Sequence, residues 1–340
     1  MMRIIADAFG GDNAPLEILK GCEMAVKEFS IEILLCGSEE KIKKCAEENG
    51  ISLEGMEILD APDVITMHDD PRDIIKAKSN SSMAIGLKAL SEGKGDAFIS
   101  AGSTGALVFG STFIVKRIKG IKRAAFGSFF PTVSGGHFFL MDEGANIDCR
   151  PEMLLQFGIM ASTYVSSVAG IENPTVGLLN IGTEESKGGQ LQLEAYELLK
   201  NSSLNFIGNV EARDLISGVC DVVVADGFSG NVFLKSSEGM ASSLMKMIKG
   251  VFTKNIITKL AAALVLPHMK DLKKTMDYTE IGGAPIIGVK QPVFKAHGNS
   301  NAKAFKSAIK VAISCVESGM VEKLTQTINI VEKKDENENS

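Results

Sequence analysis

An α/β fold with a mostly parallel sheet is what this sequence predicts, on three observations. Four times a short apolar run delivers a polar, glycine-containing turn that opens a helical pattern, at Asp7–Pro15, Ile99–Ala106, Asn180–Gly189 and Asp226–Asn231. The alternation breaks once, where Arg123–Phe130 and His137–Met141 read as consecutive strands joined by Pro-Thr-Val-Ser-Gly-Gly, an antiparallel hairpin. With 340 residues, 45% of them hydrophobic, and 34 glycines, the chain can bury a sizeable core, as one large unit or two fused lobes. No internal repeat or linker divides it, so residues 1–330 read as one unit.

The composition also excludes classes of function. A net charge of −6 argues against a nucleic-acid partner, which usually demands a basic face. Six cysteines without a C-x-x-C pair, and without metal-like spacing to the four histidines, read as reduced and mostly buried thiols. No metal or other cofactor is implied. The N-terminus enters Arg3-Ile4-Ile5-Ala6-Asp7 directly, a first strand rather than a signal peptide, and the expected location is the cytoplasm.

In chain order, Met2–Ala8 is the first strand, and Leu16, Leu19, Met24 and Ala25 recur at helical spacing after the turn Phe9–Pro15. Asp7, Gly10, Gly11 and Asp12 stand where an open α/β sheet places its ligands, at the carboxyl edge; equally, Gly10-Gly11 is a plain turn and Asp12 a helix cap. Ile31–Cys36 and Glu57–Ala61 are further strands, with a charged helix at Lys41–Asn49 closed by Gly50. Thr66–Arg72 is a loop into a helix with Pro71 in its first turn, and His68 beside Asp69 and Asp70 reads as a capping cluster. A helix at Asn80–Glu92 leads to Asp96-Ala97-Phe98 and the turn Ile99–Ala106. There the glycines Gly102 and Gly105 admit a ligand to the backbone. The hydroxyls of Ser100, Ser103 and Thr104, with free N–H groups and the positive helix end, form an anion cradle suited to phosphate. Helix capping alone is the competing explanation.

Beyond the hairpin, Pro151 opens a helix to about Val168, with Asp148 or Cys149 near its cap and Asn146 as ligand contact or turn former. Thr175–Ile181 delivers Asn180, Gly182, Thr183, Lys187 and Gly188 before a helix to about Lys200. A lysine beside Gly-Gly at such a crossing can neutralise phosphate or polarise a carbonyl. Leu204–Val210 and Asp221–Ala225 are strands, the latter ending in Asp226, Gly227 and Asn231. Residues 238–278 leave this rhythm as a helical excursion, with Met240, Leu244, Ile248, Val251 and Leu260 on an apolar face edged by Lys246, Lys249, Lys254 and Lys259. It fits core or dimer packing or a membrane surface. It cannot span, because Ile256–Leu266 falls far short of about 20 apolar residues. Ile281–Val289 and Pro292–Ala296 are short extended runs ending in His297-Gly298-Asn299-Ser300, and the final helix is Asn301–Glu317. Residues 331–340 form a polar tail expected to be disordered.

Taken together, Ala6–Pro15, Ser100–Ala106, Gly144-Ala145-Asn146, Asn180–Gly188, Asp226–Asn231 and His297–Ser300 resemble, in order, the motifs of the acyl-ACP:phosphate acyltransferases, the PlsX family. The resemblance covers about Met2–Gly319. It implies transfer of a fatty acyl group from acyl carrier protein to inorganic phosphate, giving acyl phosphate for phospholipid synthesis. It also implies a homodimer, an αβα fold similar to isopropylmalate dehydrogenases and phosphotransacetylases, and dimer or membrane contact through residues 238–278. The membrane contact so implied would be made directly or through a membrane glycerol-phosphate acyltransferase. Asn13, Ser103, Thr183, Asn299 and Asn301 depart from the residues usual in the family.

This chemistry needs phosphate held with one oxygen free, for which the Ser100–Gly105 turn is suited. It needs charge on the thioester oxygen stabilised, for which Lys187 and His297 are the candidates. Asp226 and Asn231 join them as catalytic candidates on the matching motif. The substrate and phosphate contacts expected are Asp7, Gly10, Gly11, Asp12, Ser100, Gly102, Ser103, Thr104, Gly105, Asn146, Asn180, Gly182, Thr183, Gly188, Gly227 and Asn299. The pantetheine thiolate leaves readily, at a thiol pKa of about 8.5, so no strong general acid and no protein nucleophile is required, and Cys149 is a minor alternative. An acidic carrier on an acidic protein calls for a local basic patch, with Arg117, Lys119, Lys122 and Arg123 as candidates. Three alternatives are distinguishable. A nicotinamide dehydrogenase lacks its G-x-G-x-x-G after the first strand. A phosphotransacetylase would prefer acetyl-CoA, and a carrier or membrane adaptor would bind without turnover.

Overall fold

The computed structural model describes residues 1–265 and 282–338. Among the described residues, eleven strands form one sheet: β1 (Arg3–Asp7), β2 (Glu32–Gly37), β3 (Met56–Asp60), β4 (Ala97–Ser100), β5 (Ala125–Pro131), β6 (His137–Met141), β7 (Thr175–Asn180), β8 (Asn205–Glu211), β9 (Val222–Val224), β10 (Ala284–Ile287) and β11 (Val293–Lys295). Their order across the sheet is β3-β2-β1-β4-β11-β10-β5-β6-β9-β7-β8. Neighbours are parallel except β11-β10, β10-β5 and β5-β6, which are antiparallel. Three reversals leave the half β3-β2-β1-β4-β11 and the half β6-β9-β7-β8 each parallel inside but running in opposite directions.

Alternation along the strands builds a core on both faces, because successive side chains point to opposite sides. Ile4 and Ala6, Ile33 and Leu35, Phe139 and Met141, and Val222 and Val224 face one way into the larger core. Ile5, Leu34 and Phe98 face the other way into a second cluster, and Phe138, Leu140 and Val223 into a third. The larger core is closed by α1 (Leu16–Phe29), α2 (Glu39–Asn49), α5 (Pro151–Tyr164), α6 (Gln190–Lys200), α9 (Ala302–Glu317) and α10 (Met320–Glu338). On the opposite face lie α3 (Ser82–Ser91), α4 (Thr104–Gly110) and α7 (Gly227–Phe252). Helix α4 continues as a π-helical segment, Ser111–Lys116.

The expected hairpin is β5-β6, Pro71 opens a short 3₁₀ turn, and Gly50 closes α2 with φ 64°. Two expectations change at the C-terminus. Met320, Leu324 and Ile328 are buried four residues apart and anchor α10, a helix absent from the sequence reading. The helix continues through Glu338, within the tail expected to be disordered, since propagating an anchored helix through good helix formers is inexpensive. Of the helical excursion, α7 and a helix at 256–265 (α8) are described, and the remainder up to residue 278 lies outside the described residues. No described helix is long and apolar enough to cross a membrane.

Candidate active site

Three loops converge beyond the carboxyl ends of β1, β4 and β11, which are successive neighbours in the sheet. The Asp12 N–H donates to the Gly298 carbonyl at 2.8 Å, and the Ala296 N–H donates to the Ser100 carbonyl at 2.9 Å. The Asn13 amide donates to the carbonyls of Asn299 and Ser300, at 3.0 and 3.3 Å. Beneath them Ser100 Oγ donates to Asp7 Oδ2 at 2.6 Å and accepts the Gly102 N–H at 3.0 Å. Gly10 must lack a side chain, because a Cβ would lie 2.6 Å from Asp7 Oδ2 and 2.7 Å from the Gly102 nitrogen. Burial pushes the Asp7 carboxyl above its usual range, against the hydrogen bonds from Ser100 and Ser82. Asp7, Gly10 and Ser100 are thus the frame under the turn.

Above that frame runs a groove of about 1620 Å³ between α4 and α7. Of the residues expected from sequence, Gly11, Asp12, Gly102, Ser103, Thr104, Gly105, Asn146, Asn231 and His297 line it. Ser103 Oγ accepts the Ala106 N–H at 3.4 Å, a long capping bond, and the first N–H groups of α4 have no acceptor inside the helix. Capping and anion binding are therefore both available at this turn, on different donors.

Lys295 is the group that sequence reasoning missed. It ends β11, lines the groove, and donates through Nζ to the carbonyls of Ala101, at 3.2 Å, and Ala296. Burial pulls its ammonium down to about 8, with Asp7 and Asp12 opposing that shift and Lys235 adding to it. The available signal was a single charge ending an apolar strand, two residues before His297. His297 Nδ1 accepts the Asn299 N–H at 3.5 Å, and Nε2 lies 3.8 Å from Glu238 Oε1 on α7. Glu143, fully buried on the groove wall, accepts from the Ser128 N–H at 3.0 Å and its hydroxyl at 2.6 Å. Burial raises its carboxyl to about 8, so it is mostly protonated at neutral pH.

The motif around Asp226 plays a structural part. Asp226 caps α7 by accepting the Ser229 N–H at 2.9 Å and its hydroxyl at 2.8 Å, and the Gly227 N–H donates to the Asn146 carbonyl at 2.8 Å. Asn146 donates from Nδ2 to Asp142 and the Ala124 carbonyl, and Asn231 Nδ2 donates to the Glu143 carbonyl at 2.9 Å. These bonds hold the start of α7 against the Asp142–Asn146 turn. About 26 residues at 1.5 Å each make α7 nearly 40 Å long. It thereby carries Lys235 and Glu238 back toward His297.

The turn bearing Lys187 does not join the groove. Because β7 belongs to the half-sheet that runs the other way, its carboxyl end opens at the opposite edge from Ser103. Lys187 is exposed, with Nζ 3.9 Å from Glu184 Oε1, and Thr183 is exposed beside it. Asn180 closes the turn on itself, accepting from the Ile181 N–H at 2.8 Å and donating to the Lys187 carbonyl at 3.0 Å, with Gly182 and Gly188 packed around it. Within the chain, then, Lys187 does not face the cradle; Lys295 does. Cys149 donates to the Asn146 carbonyl, and burial pushes its thiol up to about 11, which suppresses the nucleophilic thiolate. At the groove's far end Lys116, Arg117, Lys119 and Arg123 form a basic rim, three of them in the expected patch; Lys122 is not among the lining groups.

The fold resembles that of a phosphotransacetylase from Streptococcus pyogenes, with a TM-score of 0.65 at 16% identity over 93% of this chain and 94% of that one. A branched-chain phosphotransacylase from Enterococcus faecalis gives 0.59 at 14% identity, covering 93% of this chain and 99% of that one. In sequence, a phosphate acyltransferase from Thermoanaerobacterium thermosaccharolyticum is 46% identical over 97% of this chain and 98% of its own length. One from Clostridium acetobutylicum is also 46% identical, over 96% and 99%. Residues 2–323 match the family described as fatty acid synthesis protein. With that match and near-full-length identity to phosphate acyltransferases, the chain belongs to the fatty acid synthesis protein family and is an acyltransferase enzyme.

Proposed function

We infer that the chain moves a long-chain acyl group from acyl carrier protein to inorganic phosphate, supplying acyl phosphate for phospholipid synthesis. The observation that carries this reading is a half-buried lysine, Lys295, beside the Gly102–Gly105 turn at one end of a groove whose other end is basic. The carrier docks on Lys116, Arg117, Lys119 and Arg123, and its pantetheine arm runs along the groove toward the turn. Phosphate binds the free N–H groups of α4 with the hydroxyls of Ser103 and Thr104. One phosphate oxygen attacks the thioester carbonyl carbon, the carbon–sulfur bond breaks, and the proton of hydrogen phosphate ends on the departing sulfur. The products are acyl phosphate and free carrier thiol. Lys295 and His297 stabilise the charge that grows on the carbonyl oxygen, and Asp12 restrains Lys295 electrostatically.

The test is a phosphate-dependent assay with palmitoyl carrier protein, following free thiol and acyl phosphate together. Thiol release that requires phosphate, with acetyl-CoA turned over at least a hundredfold less efficiently, is the expected result. Efficient use of acetyl-CoA would make this a phosphotransacetylase, and binding without turnover would make it an adaptor.

The same reading includes a homodimer, cytoplasmic in location, that touches the membrane directly or through a membrane acyltransferase. Its support is the run Met240, Met247, Val251, Ile256, Ile257, Leu260 and Leu264, each more than 60% exposed, with Lys246, Lys249, Lys254 and Lys259 alongside. Leu260→Glu is expected to cut co-sedimentation with anionic phospholipid vesicles at least fivefold while the thermal midpoint moves by less than about 2 °C. Unchanged sedimentation would assign the face to protein packing.

A further inference from the structure

A second cavity, of about 200 Å³, lies on the α5 and α9 side of the sheet. Phe129, Phe139, Tyr164, Val168, Pro285 and Val311 wall it, and its rings pack on one another: Phe139 and Tyr164 have centroids 4.9 Å apart, Phe129 and Phe139 5.0 Å. Ser128, Gly282 and Gly283 line both this cavity and the main groove, so the two meet where β10 begins. Only glycine fits at both positions: a Cβ at 282 would overlap Val311 Cγ2, and one at 283 would lie 3.0 Å from the Lys295 carbonyl oxygen, so any side chain there would narrow the junction. Ala284 pairs with Lys295 across the β10-β11 ladder, which sets the passage next to the backbone of the lysine assigned to the carbonyl oxygen.

We propose that this cavity takes the methyl end of the acyl chain, which leaves the thioester carbonyl at Lys295, crosses Gly282-Gly283, and ends among Phe129, Phe139, Tyr164, Val168 and Val311. The proposal rests on the acyltransferase reading above and names where its substrate's tail goes. The occupant follows from chemistry: among the described residues the walls offer aromatic and aliphatic surface and no charged side chain, which suits a hydrocarbon and not phosphate or pantetheine. At about 30 Å³ per small group, the volume accepts roughly six methylenes, so chains long enough to cross the passage gain affinity and short ones do not. Each buried methylene is worth about a fourfold gain in affinity.

The test measures binding and turnover of palmitoyl and octanoyl carrier protein by the wild-type chain, Val311→Phe and Val168→Phe. Both valines are half-buried, so a larger ring there fills the cavity from two independent walls. Val311→Phe is expected to weaken palmitoyl binding at least tenfold and leave octanoyl binding within twofold, and Val168→Phe to do the same. If one variant fails to fold, the other decides. An unchanged palmitoyl-to-octanoyl ratio in a folded variant overturns the proposal. Absent phosphate-dependent turnover in the wild type would overturn the reaction assigned above, while the binding ratio still decides the cavity.

Discussion

Lys295→Met is expected to lower kcat/KM for phosphate-dependent thiol release by about a hundred- to a thousandfold, the loss typical of removing a preorganised group at a developing oxyanion. The side chain is half-buried beside the cradle, and its donors already face two carbonyls, those of Ala101 and Ala296, so little reorganisation is needed as charge builds. The pH dependence separates this role from a structural one. Burial lowers the ammonium to about 8, so the charged form is present below that pH and is lost above it. If the ammonium acts, kcat/KM falls about tenfold per pH unit on the alkaline side of 8. Lys295→Arg keeps a charge at all accessible pH and should lose that limb even where its activity is low. Glu143 also titrates near 8, and its ionisation would place an opposing charge on the groove wall. Glu143→Gln should therefore retain the limb. A limb that vanishes in Glu143→Gln and persists in Lys295→Arg would transfer the assignment to the carboxyl.

Gly230→Ala should be the most damaging small substitution in α7. A Cβ at 230 would overlap the Asp142 carbonyl oxygen and lie 3.0 Å from its carbon, both backbone atoms of the turn that seats the helix. Neither atom can swing aside as a flexible side chain would, so the start of α7 must lift from Asp142–Asn146. That also strains the bonds from Asn231 to Glu143 and from Gly227 to Asn146. A loss of about 3 kcal/mol or more in unfolding free energy is expected, within the range for overpacking combined with broken buried bonds. The control is Gly239→Ala in the same helix, where no described atom lies within 4 Å of an added Cβ. There the helix propensity of alanine should raise stability by about 0.5–1 kcal/mol. Denaturant unfolding of both variants is the measurement, and equal effects would refute the packing argument.

Most strands and helices were legible in the sequence because their signals are local. The apolar runs in Arg3–Asp7 and Ile31–Cys36, Gly50 after Asn49, and Pro71 and Pro151 at helix starts each depend on a few neighbouring residues. The site was legible to the extent that its parts sit on loops beyond β1, β4 and β11, where glycines and hydroxyls mark the turn. What a turn's sequence does not contain is the edge of the sheet on which it opens. The Asn180–Gly188 turn has the same local grammar as Ser100–Gly105, yet three antiparallel pairings place it at the other edge, and Lys187 goes with it. Lys295 was missed for the converse reason: its environment is made by Asp7, Ala101 and Asp12, all more than 190 residues earlier in the chain. Helix α10 hid behind its polarity, with only Met320, Leu324 and Ile328 marking the buried stripe.

The sheet order has a consequence for synthesis on the ribosome. Strands β10 and β11 lie between β4 and β5, so the middle of the sheet is made last. Some 150 residues separate Pro131 from Ala284, on the order of ten to thirty seconds of translation at about 5–20 residues per second. Through that interval β4 and β5 each have one unpaired edge, the kind of surface that recruits strands from other chains. The nascent protein thus passes through a stage of two half-sheets, each able to collapse on its own helices, waiting for one short hairpin to seal them. The sheet closes only on the arrival of residues 284–295, and with them arrives Lys295, so the lysine proposed to act on the carbonyl oxygen and the closure of the sheet come in a single late event.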